Sequence, residues 1–298
     1  MSLNKPIWKL RDWVDINDLD WDMLSLNKNA ISIIEENPEE ISCVFLSENK
    51  NAIHLLEKYL YEGIDNIDWE SLSLNPNAIK LLKNNPDYID WEKLSNNKNA
   101  IKILEENPDK IVWKYLSFNK NAISLLEKNP EKIDWSNLSE NKNAISLLEK
   151  NLDKIDWKYL SFNKNAISLL EKNPEKINWQ FLSRNENAIH LLEKNPEKIN
   201  WFSLSKNKNA IKLLKENPDK INWENLSKNK NAIELLKENP DKIDWFYLSS
   251  NPAIFELDYK KMKENNQDMN DELIKEVMKP SRVFKNPDYD YLEELFGD

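Results

Sequence analysis

WKYLSFNKNAISLLEKNPEKID, residues 113–134, is one unit of a pattern that fills most of this 298-residue chain. Tryptophan returns at 69, 91, 113, 135, 157, 179, 201, 223 and 245, always 22 residues after the last. Trp21 opens the first copy. Cys43 holds the tryptophan phase of the second copy, which carries four extra residues near 60–63. The stretches 113–133 and 157–177 are identical, the mark of a duplicated two-repeat block. A fixed period of this length signals a solenoid, in which each unit buries its apolar face only against its neighbours.

Each unit reads as two short helices. Asp134 and Asn178 are N-cap residues before a WxxLS segment that sets Trp and Leu on one face. Asn119 is expected to cap the second helix, and a proline after it, as in Asn75-Pro76, to take the first helical position. Ala122, Ile123, Leu125 and Leu126 then form an apolar arc of roughly 160°. Asn129 ends the helix because the residue before Pro130 is pushed out of helical geometry. Helices of roughly six and nine residues do not hold alone in water, so packing between copies must stabilise them.

The fold class expected is therefore all-α: a solenoid of about ten two-helix repeats with a cap at each end. Its parts are an N-terminal cap (1–20), repeats over 21–250 and a C-terminal helical cap and tail (251–298). The repeats open at 21, 43, 69, 91, 113, 135, 157, 179, 201 and 223, with a partial one at 245. At about 9–10 Å per layer this gives a rod or superhelix on the order of 100 Å long. Residues 270–278 read as a further helix, and 288–298 as a short helix or frayed tail.

Composition narrows the function classes. Two glycines argue against an all-β chain, and a net charge of −10 disfavours general affinity for nucleic acid. One cysteine fits a reducing, cytoplasmic setting. The opening MSLNKPIWKL lacks an apolar signal core, and no run reaches membrane-spanning length. No cofactor, metal or catalytic site is expected. His54 and His190 sit at outward positions of separate repeats, and Ser117 has no base fixed beside it.

The tryptophans read as core. The invariant Asn119, Asn121 and Asn129 columns read as framework rather than a base code, which would vary between copies. Lys120, Lys128 and Lys132 read with Glu127 and Glu131 as one mixed, solvated face. Variable aromatics on the first helices either cover the joints between neighbouring helices or form a docking surface. The candidate protein-binding residues are Tyr115, Phe118, Tyr159, Phe162, Phe181 and Phe202. The function expected is a non-enzymatic protein–protein interaction scaffold, a monomer or weak oligomer binding one or more proteins or peptides. The alternatives are nucleic-acid binding by the more basic later repeats (Lys206, Lys208, Lys212, Lys215, Lys228, Lys230) and a passive assembly role.

The pattern WxxLSxNxNAIxLLExNPxKIDW, with KLRDWVDINDLDW before it and FELDYKKMKE and DELIKEVMKPSRV after it, resembles the multicopy short-repeat proteins of mimivirus-like giant DNA viruses. The resemblance covers nearly the whole chain. It implies a viral protein acting in the host cytoplasm or viral factory, and no activity, cofactor or catalytic residue. Lys279-Pro280-Ser281-Arg282 departs from the His-Pro-x-Arg-like element of that family's last cap. The unit also resembles leucine-rich-repeat-variant solenoids, which implies alternating α and 3₁₀ helices in a right-handed superhelix.

Overall fold

A computed structural model describes residues 6–63, 66–264 and 275. The chain is an all-α solenoid of 22-residue units; the described strands are two of three residues each. It divides into residues 10–254, which hold the repeats, and a smaller unit of residues up to 9 and from 255 onward.

The layer at 113 shows the local logic. Its first helix runs Trp113–Phe118, its second Ile123–Glu127, and a 3₁₀ helix, Pro130–Lys132, leads to extended Ile133 and Asp134. Pro130 opens the 3₁₀ helix, where its missing N–H is no loss. Asp134 accepts from the N–H of Asn137, and Asn178 from that of Phe181, the two caps expected. Asn119 does not cap the second helix. Its Oδ1 accepts the N–H of Asn121 at 3.1 Å, holding 119–122 in a turn, so the helix opens only at Ile123 and is shorter than expected. Pro76 likewise lies in that turn, before Ile79–Asn84. In the second layer the extra residues extend the second helix to Ile53–Tyr61, and Gly63 follows at φ 79, a left-handed backbone that glycine takes without strain.

The fully buried side chains are Leu116, Ala122 and Leu126 and their counterparts, all 0% exposed. Ala at the tenth position lets adjacent layers approach closely. The repeat tryptophans, read as core, are only half-buried. The ammonium of the lysine 19 residues later closes the open ring face: Lys132 stands 4.6 Å from Trp113, and six other layers repeat this at 4.5–4.9 Å. Where Tyr88 replaces the lysine, it stacks on Trp69 at 4.6 Å.

Two polar columns tie the stack. Ser117 donates to Trp113 O and accepts the N–H of Asp134, a bond within one layer. Asn119, 1% exposed, donates through Nδ2 to Ser95 O and Asn97 O of the preceding layer. Such fully satisfied amides explain why both residues recur without change.

The layers of the expected rod or superhelix do not run on to two free ends. Asn27 of the first layer donates to Ser249 O and Asn251 O of the last at 2.9 and 3.0 Å, the same pair of bonds that Asn119 makes to the layer before it. The last layer is itself composite. It has a first helix, Trp245–Ser249, and a short 3₁₀ turn, Pro252–Ile254, but no second helix of its own. Residues 10–20 supply the rest. Ile16–Asp18 is the missing 3₁₀ helix, and the N–H of Asp20 bonds Ser249 Oγ at 2.9 Å, as Asp134 bonds Ser117. Arg11 adds bonds from N to Ile254 O and from Nε to Ala253 O, and Trp13 packs against Trp245 at 6.4 Å. Residues 10–20 thus complete the eleventh layer. Within 10–254 the stack closes on itself.

In the smaller unit, β1 (Trp8–Leu10) pairs with β2 (Phe255–Leu257), Asp258 N donates to Ile7 O, and Lys9 meets Glu256 at 3.2 Å. Residues 259–264 are helical, with Asp258 Oδ1 accepting from Lys261 N. Apart from residue 275, which is helical, the helix expected over 270–278 and the segment 288–298 lie outside the described residues.

Candidate functional site

The first helices carry five of the six candidate aromatics, Phe162 lying in the turn just after Trp157–Leu160, and the structure distributes the six over three settings. Side chains at the third position lean on the preceding layer: Asn137 Nδ2 donates to Lys114 O and Asn225 Nδ2 to Phe202 O. Tyr159 and Phe181 share this position. Their rings meet edge to face at 5.7 Å, with the Lys158 ammonium within 5.3 Å of both. Tyr115 is also half-buried, with Lys114 at 5.9 Å. These three rings cover joints. Phe202, at the second position, is 55% exposed, as is Phe246 at 48% two layers on.

Phe118 and Phe162, at the sixth position, line a groove of about 940 Å³. Glu140 lies between them in sequence phase, and the lysines of the eighth position, among them Lys50, Lys98, Lys120, Lys142 and Lys164, line the same space. The backbone of this lysine column is pinned. Lys98 O, Lys120 O and Lys142 O each accept from the Asn at the ninth position of the next layer, at 2.8 Å. Lys142 and Lys98, then slight burial, then Lys50, push Lys120 below the ordinary lysine range. Burial raises the Glu140 carboxyl, and the Arg184 charge opposes this only in part. The three lysines of one repeat, read together as a solvated face, go to three places: Lys120 to the groove, Lys128 to an exposed helix end and Lys132 to the Trp113 ring.

The later lysines divide as well. Lys206, Lys208 and Lys228 lie on the first-helix side, and Lys212 and Lys215 on second helices. Most are engaged. Lys208 pairs with Glu186 at 3.2 Å, Lys212 with Glu216, Lys215 with Glu238 and Lys228 with Glu224, while Lys206 stands over Phe202 at 5.6 Å. Glu186 also binds Lys164 at 2.6 Å; burial works to raise its carboxyl, and the two lysines outweigh it and hold it below the ordinary range.

His54 and His190 are exposed and pair with Glu35 and Glu171 of the preceding layers at 3.0 and 2.9 Å. Burial pushes the Cys43 thiol up, away from a reactive thiolate. Among the described residues no cluster of three or more His, Cys, Asp or Glu could hold a metal, and no helix is long and apolar enough to cross a membrane.

Fold and surface define a short-repeat solenoid with tryptophan-bearing α and 3₁₀ units. No protein family, curated protein or solved structure matches the chain.

Proposed function

We propose that this chain is a non-enzymatic scaffold that binds a protein partner on its first-helix face. The observation that carries the reading is the pair of exposed rings, Phe202 and Phe246, set on a frame whose buried side-chain polar atoms, Asn225 Oδ1 excepted, are engaged among the described residues. Exposed aromatics held by rigid layers suit capture of a partner's apolar side chains. Closure of 10–254 leaves no open layer, which favours a monomeric binder over end-to-end assembly. The ion pairs of Lys208, Lys212, Lys215 and Lys228 weaken the case for nucleic acid in the later repeats. The repeat motif supports a giant-virus origin and action in the host cytoplasm. Replacing Phe202 and Phe246 together by serine is expected to abolish partner capture from host-cell lysate, with the circular dichroism spectrum unchanged. Undiminished capture by the double variant would refute the proposal.

A further inference from the structure

The groove of the eighth-position lysines offers a second and independent site. In a chain of net charge −10, it gathers Lys50, Lys98, Lys120 and Lys142, none of which pairs with a carboxylate among the described residues. Two further lysines of the same lining are neutralised: Lys93 by Glu70 at 2.8 Å and Lys164 by Glu186. Glu48, Glu70 and Glu140 also line the groove, but Glu70 is taken by Lys93, and neither Glu48 nor Glu140 pairs with a lysine among the described residues. The four ammonium groups, on backbone fixed by the asparagine column, therefore leave an excess of positive charge that a bound anion would balance.

The shape of the site selects the anion. Lys50 and Lys120 are three layers apart, about 28 Å on a straight stack and more than three Debye lengths at physiological salt. Yet both line one groove, and the Lys50 charge still reaches Lys120. Side chains from successive layers thus open onto one space, so their charges act together there instead of forming an extended track. A long single strand needs a track; several phosphates on one small molecule need convergence.

We propose that Lys98, Lys120 and Lys142, with Lys50, bind a compact polyanion carrying three or more phosphate groups. Binding is ionic, through charge-assisted hydrogen bonds from the ammonium groups. Phe118 and Phe162 flank the same space and would receive the organic part of a nucleoside polyphosphate; inorganic polyphosphate carries the same anionic chemistry without it.

The test is calorimetric titration of the full chain with inorganic tripolyphosphate. At 0.15 M salt a dissociation constant on the order of 10 µM is expected, with orthophosphate at least about 30-fold weaker. The variant K98Q/K120Q/K142Q should lose about 30-fold or more, roughly threefold per ammonium removed, with unchanged helicity. The variant K128Q/K150Q/K172Q removes the same charge from exposed second helices and should bind as the wild type does. A nucleoside triphosphate arm separates the sources: a gain over tripolyphosphate that Phe118→Leu abolishes marks the nucleotide, and equal affinity marks inorganic polyphosphate. The proposal is overturned if tripolyphosphate does not bind, or if the two lysine triples weaken it equally. Binding of a single-stranded oligonucleotide that tripolyphosphate cannot displace would also overturn it.

Discussion

The layer at 113 and the composite layer at 245 use the same bonds on very different chain paths. In the first, Ser117 and Asp134 lie 17 residues apart; in the second, Ser249 and Asp20 lie 229 apart. The hydrogen bonds are 3.1 and 2.9 Å, so the native geometry does not register the difference. The unfolded chain does. Closing the longer loop costs about 2 kcal/mol more by the logarithmic rule for flexible chains. The seam between ends is therefore the joint that forms last and opens first, although its contacts match those of the interior.

The largest effect expected is from deleting residues 1–20. Layer eleven would lose its 3₁₀ helix and Asn27 would lose nothing of its own, but the apolar faces of both end layers would open. A loss on the order of 5 kcal/mol, or aggregation, is expected in chemical denaturation. A deleted chain that unfolds at the wild-type midpoint would show that the seam contributes no stability.

Next come matched pairs. Leu116→Ala and Leu248→Ala both empty a fully buried site and should each cost about 3 kcal/mol if the seam is closed in solution. Asn119→Ala and Asn27→Ala each leave two carbonyls unsatisfied and should cost about 2 kcal/mol. Denaturation midpoints check both pairs. If the members at 248 and 27 cost nothing while those at 116 and 119 cost the full amount, the stack is open.

The smallest effect belongs to Glu186, which bridges two layers far from the seam. Its depressed folded value means that its stabilisation is present above the unfolded carboxylate range and is lost as pH falls through the folded value. Glu186→Gln should cost about 1 kcal/mol at pH 7 and nothing near pH 2, read from melting curves at the two pH values. A pH-independent difference would assign the loss to packing.

Much of the layer was legible in the sequence. The period, the Asp134 and Asn178 caps and the serine column follow from local spacing, which is where hydrogen bonds within a repeat are decided. Closure was harder to read because it joins segments from opposite ends. The signal existed: INDLDW (16–21) has the phase of NPEKIDW, and the repeat at 245 lacks that part. The half-exposed tryptophans and the groove share one physical cause that a charge pattern along the chain does not carry: Lys132 acts on a ring 19 residues back and Lys120 on lysines one layer away on either side. Of the candidate aromatics, Phe118 and Phe162 line a concavity and Phe202 is open. Tyr115, Tyr159 and Phe181 are held in joints, a distinction that turns on which side of a short helix meets its neighbour.

Closure also bears on how such a gene can change. An open array tolerates gain or loss of a unit by sliding its ends, whereas a closed one must redistribute any change in unit number over all its joints at once. The identical stretches 113–133 and 157–177 show that units have been copied within this gene. Copy number here is thus a quantity under geometric selection, and in-frame duplication of one more unit should be purged where a point change in the same unit is kept.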